Sequence, residues 1–245
     1  EKEDTITPFI TTRCFEQIRV DVCYNNLPVV IVGVGGGLCY APLGATHHSL
    51  EDIAIMRALP NMTVICPGDV FEVRAALRAA LNHAGPVYIR LGKKGEISVH
   101  KSVPDFTIGK GIIISKGNDI CLLSTGNMLN IAAEVVTSLK KELISAELVS
   151  FHTVKPLDKD LLSCVFNKFK LVVTIEEHSL IGGLGGSIAE WHADQKSLKA
   201  GLLRIGTGDA FMHNVGEQDY AREYFGLNQE AIIEKIVKCL NDKDK

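Results

Sequence analysis

Several features that would point to particular classes of protein are missing from the sequence or scarce in it. Of its 245 residues 46% are hydrophobic, but apolar runs such as 27–34 fall far short of the roughly 18–20 residues that cross a bilayer. No basic start is followed by an apolar core and a cleavage site, so we expect no signal peptide. The net charge is −3, without a basic stripe, which argues against nucleic-acid and membrane partners. We therefore expect a cytoplasmic protein that binds any anion locally.

Cysteine pairs are also missing. The seven cysteines are scattered, none forms a CxxC pair, and most lie in apolar segments such as 64–66 and 120–122. This pattern favours reduced, buried thiols over disulfides or a zinc site. We assign no metal ligands in this chain.

Short β-branched runs alternate with longer amphipathic stretches, which is typical of parallel sheets covered by helices on both faces. The predicted helices are 9–24, 49–59, 70–83, 129–143, 158–168, 187–192 and 229–240, and the predicted strands are 27–34, 62–66, 86–91, 120–124, 146–150, 171–175 and 202–205. A polar, turn-rich stretch at 93–109 predicts a linker. We therefore predict two α/β domains, residues 1–92 and 110–245.

The start of the first domain is unusual, because Glu1–Asp4 leads straight into the first helix with no strand before it. We expect the opening βα units of this domain to be missing. Either the chain is a fragment, or another chain supplies that part.

Residues 44–52 form the most distinctive segment. Ser49, with Asp52 three positions later, predicts a helix N-cap with a capping-box-like partner. His47 and His48 would then precede a helix N-terminus, where free N–H groups and the dipole favour a phosphate or sulfonate. The glycine-rich segment 33–37 is expected to let the backbone approach a ligand closely. From spacing alone, a solvated loop with incidental histidines fits equally well.

Two arginines are further candidates for binding an anion. Arg90 ends a buried-looking strand, and ligands of parallel sheets bind beyond the carboxyl ends of strands. Taken by itself, however, Arg90 is better interpreted as the partner of a carboxylate such as Asp69. Arg13 lies on the first helix between Phe9 and Phe15, where an arginine that covers apolar neighbours is common.

Two segments late in the chain carry weaker signals. Residues 176–178 (Glu-Glu-His) could form an acid/base cluster, but a solvated strand end is the favoured interpretation. Residues 182–186 only superficially match a dinucleotide-binding turn. We predict a tight loop there that packs a helix onto the sheet.

Together these segments resemble the transketolase family. Residues 9–19 (FITTRCFEQIR) look like its pyrimidine-domain helix, and residues 44–62 (GATHHSLEDIAIMRALPNM) are similar to its longest signature. Further matches follow in order: VICPGD at 64–69, YIR at 88–90, VKPLD at 154–158, TIEEH at 174–178 and GGLG at 182–185. The resemblance is closest to the C-terminal subunit of split transketolases. It implies a partial pyrimidine-binding domain with a parallel sheet, then a C-terminal domain with a mixed sheet.

The resemblance also implies a function: a thiamine-diphosphate enzyme that transfers a two-carbon ketol unit between phosphorylated sugars. Phe9 matches an aromatic that stacks on the cofactor's aminopyrimidine, and His47 matches a catalytic residue that lines the cofactor and substrate channel. Arg13 and Arg90 match arginines that hold the acceptor phosphate. We add His48 to this predicted phosphate-binding set.

The chain departs from the family in ways that imply a partner. The family's catalytic glutamate lies upstream of Glu1, and no Gly-Asp-Gly…Asn motif for Mg²⁺ and diphosphate is present. We therefore expect an N-terminal transketolase subunit to hold the metal and the diphosphate, in a heterotetramer. Gly35 and Leu43 replace a histidine and an acidic residue that usually touch sugar hydroxyls, which leaves the sugar pair open.

Two alternatives stay open. One is a fragment of 1-deoxyxylulose-5-phosphate synthase, which normally keeps an acidic residue near position 43, or of a 2-oxoacid dehydrogenase β subunit, which lacks a Thr-His-His run. The other is a non-catalytic assembly or regulatory chain of the same fold.

Overall fold

The β-branched runs of the sequence form two separate sheets in the computed structural model, which describes residues 6–93 and 95–243. The predicted junction between Glu1–Asp4 and the first helix lies outside the described residues. Among the residues that are described, no helix combines the length and the apolar character that a membrane crossing requires. All seven cysteines are free thiols, and four of them are buried.

The first sheet has the strand order β1-β3-β2-β7. Strands β1 (Val30–Val34), β2 (Thr63–Ile65) and β3 (Val87–Leu91) run parallel, as predicted. The fourth strand, β7 (Thr153–Lys155), comes from the second half of the chain and pairs antiparallel with β2. The first sheet is therefore mostly parallel, and the second half of the chain completes it.

The second sheet has the order β4-β6-β5-β8-β9. Its strands are β4 (Ile112–Ser115), β5 (Ile120–Ser124), β6 (Ala146–Ser150), β8 (Leu171–Ser179) and β9 (Gly201–Thr207). Only the edge strand β4 runs antiparallel in the described sheet, so the predicted mixed sheet and the α/β fold class are confirmed. β5 and β6 are buried along their whole length, because helices cover both faces of the sheet.

The helices largely follow the predicted amphipathic stretches. They are α1 (Thr7–Thr12), α2 (Phe15–Gln17, continued by a π-helical turn Ile18–Tyr24), α3 (Asp52–Ala58), α4 (Val70–Leu81), α5 (Leu129–Leu139), α6 (Lys159–Lys168), α7 (Leu184–Ala193), α8 (Gln218–Tyr224) and α9 (Gln229–Lys243). The continuous helix predicted over 9–24 is wrong, since α1 ends at Thr12. The hydroxyls of Thr11 and Thr12 bond back to the carbonyls of Thr7 and Pro8, a pattern that bends helices.

One of the apolar clusters contains residues of both sheets and joins them. It contains Ile53 and Met56 of α3 and Leu123 of β5, together with Leu162 and Phe166 of α6. Because one face of α3 packs into this core, the loop that leads into it is held against both halves of the chain. That loop carries His47 and His48.

Candidate functional site

Phe9, Arg13 and His47, three of the five predicted site residues, meet in one place. The rings of Phe9 and His47 pack edge to face, with centroids 5.2 Å apart and planes at 73°. The guanidinium carbon of Arg13 lies 4.2 Å from the centroid of the Phe9 ring. Phe9 and His47 are half-buried and Arg13 is exposed. The cluster therefore presents an aromatic ring, an imidazole and a cation at the surface.

Local sequence positions both sides of this cluster. Pro8 stands in the first turn of α1, where its missing N–H costs no hydrogen bond. Gly44 has a φ of 79° and separates two 3₁₀ turns, Ala41–Leu43 and Ala45–His47. This backbone conformation suits glycine and brings His47 around to face α1. The Thr46 hydroxyl lies 3.0 Å from Nδ1 of His47.

His48 does not join this cluster. It is 7% exposed and lines a cavity of about 460 Å³. Its Nε2 has no hydrogen-bond partner among the described residues. Burial lowers the pKa of His48 below its ordinary value of 6.5, so the ring is neutral at pH 7. A neutral imidazole is a weaker phosphate ligand than an imidazolium, and the phosphate-binding role of His48 stays a prediction.

Arg90 is buried and donates hydrogen bonds to the protein through Nε and Nη2. Its Nε donates to Oδ2 of Asp52 at 2.8 Å, and its Nη2 donates to the carbonyls of Ser49 at 2.8 Å and Glu177 at 3.0 Å. Burial alone would lower the pKa of Arg90, but the Asp52 carboxylate raises it above its ordinary value. A carboxylate partner, the alternative interpretation, is thus confirmed, but it is Asp52 and not Asp69. Contact with a substrate phosphate stays a prediction.

The predicted capping box at Ser49 is wrong. Helix α3 begins at Asp52 and Glu51 is its N-cap, with no side-chain capping bond. The Asp52 carboxylate is used elsewhere: it accepts hydrogen bonds from Arg90 and from the Tyr88 hydroxyl, the latter at 2.7 Å. The local sequence pattern predicts that Asp52 caps the helix, but in the structure its side chain pairs with Tyr88 and Arg90 of β3.

The Asp69 carboxylate accepts hydrogen bonds from backbone N–H groups of two segments. One carboxylate oxygen accepts from the N–H groups of Phe71 and Glu72 and caps α4, both at 3.0 Å. The other accepts from Val99 at 2.9 Å and His100 at 2.8 Å. Asp69 therefore attaches the segment after β3 to the start of α4.

The glycine-rich segment 33–37 makes room for the protein's own side chains. A Cβ added at Gly36 would lie 2.7 Å from Nε of Arg90, and one at Gly37 would lie 2.4 Å from Oε1 of Glu177. At Gly35, where φ is 80°, an added Cβ would lie 1.9 Å from Cε2 of Tyr40. The close approach of this backbone to a ligand stays a prediction, and a histidine at position 35 would have to displace the Tyr40 ring.

Residues 176–178 are not a solvated strand end, because β8 continues through them and all three are buried. The Glu176 carboxylate accepts from the N–H groups of Leu184 at 2.6 Å and Gly185 at 2.7 Å, and so caps α7. Burial raises the pKa of Glu176 to about 7 and lowers that of His178 to about 4. The loop at 182–186 thus packs a helix onto the sheet, as predicted.

Glu177 points to the other face of β8 and lies at the centre of a polar network that sequence reasoning missed. Its carboxylate accepts from Leu38 N at 2.7 Å, from Asn127 Nδ2 and Gln218 Nε2 at 2.9 Å, and from Arg222 Nε. The sequence did contain a signal for this arrangement. Glu176 and Glu177 continue an apolar strand with no turn residue between, and consecutive residues of a strand point to opposite faces of the sheet. Among the described residues, no three His, Cys, Asp or Glu side chains gather to hold a metal ion.

Comparisons with known proteins agree with this architecture. Residues 3–95 match the family described as "Transketolase, pyrimidine binding domain", and residues 109–232 match "Transketolase, C-terminal domain". A "Putative transketolase C-terminal section" from Methanocaldococcus jannaschii is 38% identical over 94% of this chain and 72% of its own length. A "6-deoxy-6-sulfo-D-fructose transketolase subunit SqwH" from Clostridium sp. strain MSTE9 is also 38% identical, over 94% of this chain and 70% of its own length.

A solved structure gives the same result. The protein described as "Split gene transketolase, inactive beta4 tetramer" superposes with a TM-score of 0.88 and 34% identity. The match covers 96% of this chain and 75% of that one.

Proposed function

Because this chain belongs to the transketolase family, we propose that it is the pyrimidine-binding and C-terminal subunit of a split transketolase. With an N-terminal partner subunit it transfers a two-carbon ketol unit between phosphorylated sugars. The observation that carries the proposal is the cluster of Phe9, His47 and Arg13, which joins a stacking ring, a proton-transfer group and a cation. Similar proteins that are named as transketolase subunits match nearly the whole chain.

The cluster fits the pyrimidine half of thiamine diphosphate, the cofactor of this family. Phe9 offers a half-buried ring on which an aminopyrimidine would stack. When bound, the cofactor would supply the carbon nucleophile that carries the ketol unit. His47 is the catalytic residue of this proposal: with Nδ1 against the Thr46 hydroxyl, its Nε2 exchanges a proton with a substrate oxygen. The partner subunit holds Mg²⁺ and the diphosphate.

Of the three predicted phosphate ligands, Arg13 fits that role best. Its side chain is exposed and lies directly beside the Phe9–His47 pair. An arginine in this position can make charge-assisted bonds to a substrate phosphate. Arg90 and His48 are buried, and a separate experiment on Arg90→Ala tests the role of that arginine toward phosphate.

The proposed assembly is a heterotetramer of two such chains and two partner subunits. The similar protein described as an inactive β4 tetramer supports self-association of this type of subunit. It also supports the need for a partner, since that assembly is described as inactive.

The test is reconstitution with an N-terminal subunit, thiamine diphosphate and Mg²⁺, followed by an assay of ketol transfer from a phosphorylated ketose to an aldose phosphate. We expect turnover by the mixture, and a loss of roughly a hundredfold or more in kcat for His47→Ala. His83→Ala is the matched control, because His83 contacts Thr63 away from the cluster. It should retain activity near that of the unmodified chain.

Each contrary outcome has its own meaning. A stable complex without turnover would favour the non-catalytic assembly chain. In a parallel assay with pyruvate as the donor, release of CO₂ by a mixture that shows no ketol transfer would favour the 1-deoxyxylulose-5-phosphate synthase alternative. Equal activity of the His47 and His83 variants would show that His47 has no catalytic role.

A further inference from the structure

A cavity of about 460 Å³ lies outside the Phe9–His47–Arg13 cluster. It is lined by residues that precede or begin α3 and by the ends of β8 and β9, where Ser179 pairs with Thr207. Ligands of parallel sheets bind in crevices beyond the carboxyl ends of strands, and β8 and β9 are parallel. The volume is within the range of pockets that hold small metabolites. We call this space the Thr207 cavity.

Two buried polar groups in its wall lack partners. Thr207 is fully buried and His48 is 7% exposed. Neither the Thr207 Oγ1 nor the His48 Nε2 has a hydrogen-bond partner among the described residues. Buried polar groups are nearly always paired, so these two atoms have hydrogen-bonding capacity that a molecule in the cavity would fill.

The charge of the wall limits which molecule this is. Two carboxylates line the cavity, Glu51 and Asp209, whereas no lysine or arginine among the described residues does. Negative walls repel phosphates and accept hydrogen bonds from amines. Burial lowers the pKa of His48, which leaves the ring neutral and unable to offset that charge at pH 7.

The remaining wall is apolar and includes an exposed aromatic ring. Phe211 is 68% exposed and Ile181 is 64% exposed, although both line the cavity. Exposed rings beside aliphatic side chains suit the flat face of a heteroaromatic base. We propose that the Thr207 cavity binds a nucleoside-sized heteroaromatic amine without phosphate, whose exocyclic amine donates to the carboxylates and whose ring stacks on Phe211.

Adenosine is the probe that tests this proposal, with the full chain titrated by isothermal calorimetry. We expect adenosine to bind at least about tenfold more tightly than AMP, because the carboxylates repel the phosphate, and more tightly than inosine, which lacks the amine. Thr207→Val should weaken adenosine binding about tenfold, the effect of one lost hydrogen bond. Thr137→Val is the matched control, since the Thr137 hydroxyl lies on the exposed face of α5. It should change nothing.

Phe211→Ala provides a second variant, since an exposed side chain can be removed without disturbing the fold. It should also weaken adenosine binding. The proposal fails if the folded chain does not bind adenosine, if AMP binds as tightly as adenosine, or if both cavity variants bind like the Thr137 control.

Discussion

Arg90→Ala separates two accounts of the same arginine. If Arg90 holds a substrate phosphate, its loss weakens only the binding of phosphorylated acceptors. If Arg90 serves mainly to bind Asp52 and the two backbone carbonyls, its loss destabilises the fold. The matched comparison is Arg57→Ala, because Arg57 also pairs with a carboxylate, that of Glu190, but at the surface.

The structure sets the expected magnitudes. The side chains of Arg90 and Asp52 are only 3% and 1% exposed, and the Oδ1 of Asp52 has no partner among the described residues. Removing Arg90 leaves a buried carboxylate with the Tyr88 hydroxyl as its remaining partner, and breaking such a pair costs about 3–5 kcal/mol. For Arg57 the partner Glu190 is 67% exposed, and a pair of this kind is worth about 1 kcal/mol or less.

Urea unfolding and thermal melts measure the difference. For a chain of this size, we expect Arg90→Ala to lower the melting temperature by roughly 6–20 °C, and Arg57→Ala to lower it by no more than about 4 °C. In the reconstituted complex, Arg90→Ala should impair phosphorylated acceptors and glycolaldehyde alike. The reasoning is refuted if Arg90→Ala is as stable as Arg57→Ala while the KM rises about tenfold for the phosphorylated acceptor alone.

Two further predictions concern the segment around 95–110. Burial lowers the pKa of the His152 imidazole from 6.5 to about 4. As the pH falls, the unfolded chain therefore binds a proton at His152 before the folded chain does, and the free energy of unfolding decreases by about 3 kcal/mol between pH 6.5 and pH 4. His152→Phe keeps an aromatic ring stacked on Phe106 but cannot titrate, so this decrease should be absent when urea titrations of the variant are repeated at several pH values. A variant whose stability depends on pH in the same way as the unmodified chain would contradict the prediction. Asp69→Ala removes an acceptor of four backbone N–H bonds and should lower the free energy of unfolding by at least about 2 kcal/mol. The comparison is Asn228→Ala, which removes a side-chain acceptor for the N–H of Ala231 in the first turn of α9 and should cost about 1 kcal/mol; equal losses would show that the bonds to residues 99 and 100 contribute nothing.

Elements whose pattern is complete within one segment could be predicted from sequence. β5 and β6 span the predicted residues, because strands buried on both faces are continuous apolar runs. Helix α4 starts at the predicted residue, since Asp69 supplies a local cap. In contrast, β7 has three residues, and its place depends on Val64 lying opposite Lys155, a partner far away in the sequence.

The same distinction applies to the site. Phe9 and His47 could be singled out by resemblance, but their contact depends on the path of the loop before α3. The partners of Arg90 lie 38, 41 and 87 positions away in the sequence, and two of them are backbone carbonyls, which leave no trace in residue identity. Resemblance and local patterns therefore identified the candidate residues, but they did not identify the partners of Arg90.

The loop that carries His47 is fixed from both sheets, and this explains why charged residues are buried beneath it. Gly37 and Ser49 exchange two backbone hydrogen bonds, at 3.0 and 2.9 Å, which close the loop at its base. Arg90 of the first sheet donates to the Ser49 carbonyl, and Glu177 of the second sheet accepts from Leu38 N. A buried ion pair is weak support for stability compared with apolar packing, but its directed bonds hold a backbone in one position. In the proposed function His47 is catalytic and needs such positioning, so we infer that the buried charges at the base of the loop place His47 against Phe9 and do not serve stability alone.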